Sequence, residues 1–222
     1  MSLFLRPWGY LTNQKKFTGT FSGRPICLIH GYLHDSSAWV YMKKKLASEG
    51  FGPIYTLNLM HPFLSIESYA KSLQKKTKEI ALETGRTDLI LIGHSMGGLV
   101  ACEYAIQQAP VGTVTDVITL GSPLKGTYAA YCALGVNGRQ MRPRSHFIKE
   151  LQEKIKAQKT IRFYHVGTKT DQLIIPSSSA WMGQFSEKQF VVNGIGHVTL
   201  LFSPRVFNKI QEWLAKATSK SL

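Results

Sequence analysis

An α/β fold, with a mostly parallel central sheet of about six strands and helices on both faces, is what this sequence predicts. Three observations carry that expectation. Short apolar runs punctuate the chain at residues 26–30, 54–59, 89–93, 117–121, 161–167 and 190–193, and runs that are apolar at consecutive positions mark strands buried on both faces. Between them lie stretches whose apolar residues recur at the helical period, with Lys and Glu filling the remaining places. Strand and helix alternate along the whole chain, a pattern that calls for right-handed crossovers and a covered parallel sheet.

Taken in order, residues 1–24 read as an N-terminal arm or edge segment, in which Trp8-Gly9-Tyr10-Leu11 and the Lys15-Lys16 pair fit an edge strand, an arm or a cover equally well. Residues 25–218 read as one domain, which is what 222 residues allow. A helix is expected over 38–48. The clearest helix spans 66–82, where Ile66, Tyr69, Ala70, Leu73, Ile80 and Ala81 fall on one face. Further helices are expected over 96–108, 147–157 and 204–215, the last with Ser203 as N-cap and Pro204 at the first helical position.

Composition narrows the class of protein. Apolar residues make up 44% and charged residues 18%, the balance of a globular protein, and no apolar stretch approaches the roughly 18 residues of a spanning helix. The start, Met1-Ser2-Leu3-Phe4-Leu5-Arg6-Pro7, shows no basic leader before an apolar run, so a cytoplasmic protein, or one whose leader has been removed, is expected. Cys27, Cys102 and Cys132 cannot all pair and read as reduced cysteines. No Cys/His spacing resembles a metal site, and no cofactor is expected. The net charge of +14 opens the question of a polyanionic partner. Nucleic acid is disfavoured because no recognised motif accompanies the charge. An anionic membrane surface fits better, since Arg139, Arg142 and Arg144 follow the apolar segment 128–136.

The chemistry-bearing pattern is Gly93-His94-Ser95-Met96-Gly97, a G-x-S-x-G between a strand and a helix. A serine in so sharp a turn needs small neighbours: Gly93 and Gly97 let strand and helix approach while the hydroxyl projects from the sheet. A serine hydroxyl also needs a base to take its proton. Chain order in such folds leaves His146, His165 and His197 after Ser95. His197 fits best, in the turn after the run at 190–193. His165 lies inside a strand and reads as a core histidine, and His146 as a surface one. For the acid that orients the base, Asp171 stands just after the strand at 161–167. Asp116 is the runner-up, but it precedes a strand and so sits at the wrong end of the sheet. Glu103, Glu150 and Glu153 fall on helices, where solvated carboxylates are the rule. The oxyanion donors are expected from the backbone N–H groups of Met96 and Tyr32, the latter following Gly31. His30 and His34 read as holding that loop by hydrogen bonds.

Together, Leu28-Ile-His-Gly-Tyr32, Gly93-His-Ser-Met-Gly-Gly98, Leu120-Gly-Ser-Pro-Leu-Lys-Gly-Thr127, Arg139-Gln-Met-Arg-Pro-Arg-Ser145 and Gly196-His197 with Ser203-Pro-Arg-Val-Phe207 resemble the small bacterial lipase and esterase branch of the α/β-hydrolases. The likeness runs over most of the chain from Ile26. It implies an α/β-hydrolase fold with a minimal lid, a triad of Ser95, Asp171 and His197, an oxyanion hole from Tyr32 and Met96, and carboxylic-ester or lipid substrates within lipid metabolism. The single Gly before Tyr32 implies, in that family, acyl chains of medium to long length. Two other readings stay open: an acyltransferase using the same acyl-enzyme, and a non-catalytic scaffold of the same fold.

Overall fold

The computed structural model describes residues 23–219, so the expectations for Trp8–Leu11 and Lys15-Lys16 fall outside the described residues. Six strands form one parallel sheet: β1 (Ile26–Ile29), β2 (Ile54–Leu57), β3 (Leu89–His94), β4 (Val114–Leu120), β5 (Arg162–Thr168) and β6 (Lys188–Val192). Their spatial order is β2-β1-β3-β4-β5-β6. β1 pairs with both β2 and β3, Leu28 lying opposite Thr56 on one side and Ile92 on the other. The chain therefore turns to one side of β1 and then back to the other, and ligand crevices in open α/β sheets form at such a reversal.

Alternation along the strands divides the core into two layers. Cys27, Ile29, Leu89, Leu91 and Val117 face one side, against α2 (Ile66–Thr84), α3 (Met96–Glu103) and α5 (His146–Ala157). Ile26, Leu28, Ile90, Ile92 and Ile118 face the other, against α1 (Val40–Ser48) and α6 (Pro204–Ser219). All residues of β1 and β3 are buried, which is why their sequences are apolar at nearly every place. The caps are local chemistry. The hydroxyl oxygen of Ser65 accepts from Ser68 N at the start of α2, which ends at Gly85 with φ 67°; Ser145 Oγ accepts from Ile148 N and Ser203 Oγ from Val206 N.

The differences from the expected elements have physical reasons. β4 begins at Val114, taking in the polar Thr115 and Asp116, because two arginines described below pair with that carboxylate. β6 begins at Lys188 because it is an edge strand whose polar residues face solvent. The helix expected over 96–108 is α3 followed by a π-turn, Tyr104–Gln108, closed by Ala109 N donating to Tyr104 O at 2.9 Å. A short helix α4 (Gly135–Gln140) and single 3-10 turns at Tyr128–Tyr131 and Val198–Phe202 are too brief to show a helical period in sequence. No described helix is long and apolar enough to cross a membrane.

Candidate active site

The carboxyl edge of the sheet collects the loops after β1, β3, β5 and β6. Ser95 leaves β3 with φ 54° and ψ −125° and caps α3, a conformation costly for a residue with a side chain. Ser95 N donates to Leu120 O at 2.9 Å. Glycines make the turn sterically feasible: a Cβ on Gly93 would lie 2.4 Å from Gly97 O, and one on Gly97 2.3 Å from Ile29 O. A Cβ on Gly31 would come within 2.9 Å of Ser95 Cβ, so the Gly31-Tyr32 backbone passes directly beside the serine. Met96 N heads α3, where first-turn N–H groups lack helical acceptors and the dipole favours negative charge.

His197 and Asp171 meet on the same edge. His197 Nδ1 donates to Asp171 Oδ2 at 2.9 Å, with only 4% and 1% of the two side chains exposed. The other carboxylate oxygen accepts from Leu173 N at 2.9 Å and Ile174 N at 2.8 Å, which holds Asp171 in its loop. With its proton on Nδ1, the ring leaves Nε2 as a lone-pair acceptor. The Ser95 hydroxyl makes no hydrogen bond with another described residue; such contacts are often long before substrate binds.

The remaining candidates sort by position. Asp116 lies at the opposite end of the sheet, accepting from Arg162 Nε at 2.7 Å and Nη2 at 2.9 Å, from Arg24 Nη1 at 2.8 Å and from Thr115 Oγ1 at 2.8 Å. Burial pushes its carboxyl up, but the Arg162 and Thr115 hydrogen bonds and the two guanidinium charges outweigh this and bring it below the usual range. Arg24, at the end of the 1–24 segment, is thereby buried in the domain. His165 is buried in β5 with Nδ1 2.8 Å from Thr119 Oγ1, and burial, with the Lys125 charge, drives its pKa down to about 3. His146 is exposed. Glu103 departs from expectation: it is buried rather than solvated, and burial raises its pKa against the opposing charge of Lys154. Cys27 and Cys102 are buried and Cys132 exposed, all three free, with burial pushing the Cys27 thiol up to about 12.

The glycine-loop histidines behave differently from one another. His30 holds the loop as expected, Nδ1 donating to Gly31 O at 2.9 Å and Nε2 accepting from Leu59 N at 2.8 Å. His34 does so only through its backbone, N donating to Gly31 O at 3.3 Å, while its ring stacks on His94 at 5.9 Å and its buried Nδ1 has no hydrogen-bond partner. Although His30, His34, His94 and His197 gather at this edge, no group of three or more His, Cys, Asp or Glu among the described residues is arranged to hold a metal ion.

Sequence reasoning missed two residues that shape the site, Gln172 and Asn137, and a second contact of Tyr32. Gln172 Oε1 accepts from His197 N at 3.3 Å. Asn137, fully buried at the third position of α4, donates through Nδ2 to Pro62 O at 2.8 Å and lies 3.4 Å from Met96 Sδ, seating α4 against the start of α3. The Tyr32 phenol bonds both backbone groups of Leu134, accepting from N at 3.0 Å and donating to O at 3.2 Å. An Asn after a Gly-Val pair and a Tyr with no nearby partner give no sequence signal for such contacts. Leu134 and Asn137 thus tie the segment of α4 to Tyr32 and Met96.

Searches against known proteins agree with this architecture. The mature Bacillus licheniformis lipase BlEst2 superposes with a TM-score of 0.76 at 17% identity, covering 86% of this chain and 92% of that one. A Paleococcus ferrophilus monoacylglycerol lipase gives 0.67 at 16% identity, covering 87% and 96%. The fold is that of the α/β-hydrolases. In sequence, the chain is 27% identical over 111 residues to the lysosomal thioesterase PPT2-B of Xenopus laevis, a stretch that is 48% of this chain and only 38% of that protein. Residues 66–194 match the family described as PGAP1-like alpha/beta domain, and with more than half of its length so matched the chain belongs to that family.

Proposed function

We propose that the protein is a serine carboxylic-ester hydrolase working through an acyl-enzyme on Ser95. The observation that carries this reading is the buried 2.9 Å Asp171–His197 pair on the same sheet edge as a serine in a strained elbow. Ser95 Oγ attacks the ester carbonyl as His197 Nε2 takes its proton, and Asp171 stabilises the imidazolium that forms. Met96 N and Tyr32 N donate to the oxyanion. The imidazolium then protonates the departing alcohol, and water activated by His197 releases the acid. The lipase and thioesterase names of the relatives support acyl transfer from oxygen or sulfur, and the thioesterase makes a thioester the second substrate class to try.

Exposed apolar side chains around the site favour a lipidic acyl group. Tyr128, Tyr131, Leu134 and Val136 project from the lid, and Phe63, whose carbonyl accepts from Val136 N at 3.1 Å, continues the rim. Beside it Arg139 and Arg144 are exposed, whereas Arg142 stacks on the Tyr131 ring at 4.9 Å and so braces the lid. Contact with an anionic bilayer then rests on Arg139 and Arg144, each contributing about 1 kcal/mol near such a surface. Co-sedimentation with anionic vesicles is expected to weaken in Arg139→Gln/Arg144→Gln and at high salt; equal binding by both proteins would end the docking idea.

The deciding experiment is fluorophosphonate labelling followed by p-nitrophenyl esters of rising chain length, each beside a thioester of the same acyl group. Ser95→Ala should lose both labelling and turnover with its fold retained. Label on the Ala variant at another serine removes Ser95 from the reaction. An added alcohol or thiol acceptor that captures most of the acyl group favours a transferase, and a wild type that neither labels nor turns over favours a scaffold.

A further inference from the structure

The base and the nucleophile of the proposed site ride on different loops, so something must set their separation. His197 is tied at three points. Asp171 holds its ring, and Gln172 holds its N–H from an exposed position where water competes. The third tie is buried: His94 Nε2 lies 3.2 Å from His197 O, and the two rings pack at 4.6 Å with 47° between their planes. A carbonyl oxygen only accepts, so His94 Nε2 carries the proton and Nδ1 is bare, which agrees with Nδ1 lying buried without a partner. Burial, reinforced by the charge His197 gains, holds the His94 pKa well below its ordinary value, so its single Nε2 proton persists. His34 stacks on the same ring at 5.9 Å. His94 is also the residue immediately before Ser95, at the end of a strand buried at all six positions.

We infer that His94 is a positioning residue: its neutral imidazole bolts the His197 loop to the nucleophile elbow and so sets the base on Ser95. The inference rests on the ester-hydrolase reading for its kinetic consequence but not for its structural one. The glutamine amide nitrogen mimics histidine Nε2 in reach and donates, whereas phenylalanine keeps the ring and donates nothing. His94→Phe is therefore expected to lose kcat on the order of 10²-fold with KM within about twofold, and His94→Gln to recover most of that loss. Independently of any substrate, the Nδ1 proton that His197 shares with Asp171, resolved far downfield of the amide envelope by NMR, should broaden or vanish in His94→Phe and return in His94→Gln. Thermal unfolding of both variants separates this from loss of fold. Retention of the downfield proton and of kcat in a folded His94→Phe overturns the inference, as does equal loss in both folded variants. If the wild type shows the proton and its dependence on His94 yet hydrolyses no ester, the positioning stands and the ester reading fails.

Discussion

Two buried carboxylates, one at each end of the same sheet, do opposite things. Asp116, at the amino ends of the strands, accepts from two guanidinium groups and a hydroxyl, and its acceptor sites are filled by fixed cations. Asp171, past the carboxyl ends, accepts two backbone N–H groups on one oxygen and an imidazole on the other. The first arrangement is structural: its charged partners are guanidinium groups, which stay protonated. The second pairs with one nitrogen of an imidazole, and in the proposed reaction the other nitrogen is the base. Burial and charge are shared by both ends, so neither marks a reactive group by itself. What differs is whether the partner is titratable near neutral pH, as an imidazole is and a guanidinium is not.

That contrast is sharpest in a reciprocal pair of variants. Asp171→Asn keeps the oxygen that accepts from Leu173 N and Ile174 N but presents an amide to His197, which forces the wrong tautomer; kcat is expected to fall about 10⁴-fold with little change in unfolding temperature. Asp116→Asn leaves Arg24 and Arg162 without their counter-charge and should cost about 3–5 kcal/mol in denaturant unfolding, while kcat of the folded fraction is unchanged. Exchanged outcomes would reverse the roles assigned to the two ends.

A smaller effect concerns acid. His165 is held neutral in the fold with a pKa near 3, against an ordinary 6.5, and His94 shifts in the same direction. The unfolded chain therefore binds more protons than the folded one below pH 6.5, and stability falls as pH drops from there toward 3. Asp116, with its depressed pKa, adds a further loss only below the ordinary carboxylate value, as pH falls from there through its own lower one. One such histidine gives a slope of up to about 1.4 kcal/mol per pH unit. His165→Gln should flatten the curve of unfolding free energy against pH between 6.5 and 4; an unchanged slope would place the acid sensitivity elsewhere.

Much of the architecture is legible one residue at a time. Strands buried on both faces must be apolar at consecutive positions, so β1 and β3 declare themselves, and an elbow that tolerates no Cβ at Gly93 or Gly97 leaves a pattern that stands out between a strand and a helix. Chain order after Ser95 and placement after a strand single out His197 and Asp171 for the same reason: both depend on position along the chain. Edge strands and single-turn helices are less legible, because β6 and α4 bury too little to impose a period.

The sequence by itself determined the parallel α/β order, the elbow and the short set of residues that compete for base and acid, since each of these is written in spacing and burial pattern. Only the tertiary structure decided that Asp116 is locked by Arg24 and Arg162, that His34 stacks while His30 bonds, that Glu103 is buried, and that Tyr32, Asn137, Gln172 and His94 brace the site. Those are contacts between residues far apart in the chain, and no local pattern carries them: a histidine has the same formula whether its nitrogens meet a carbonyl, a carboxylate or nothing, and only the packing of distant loops chooses among them.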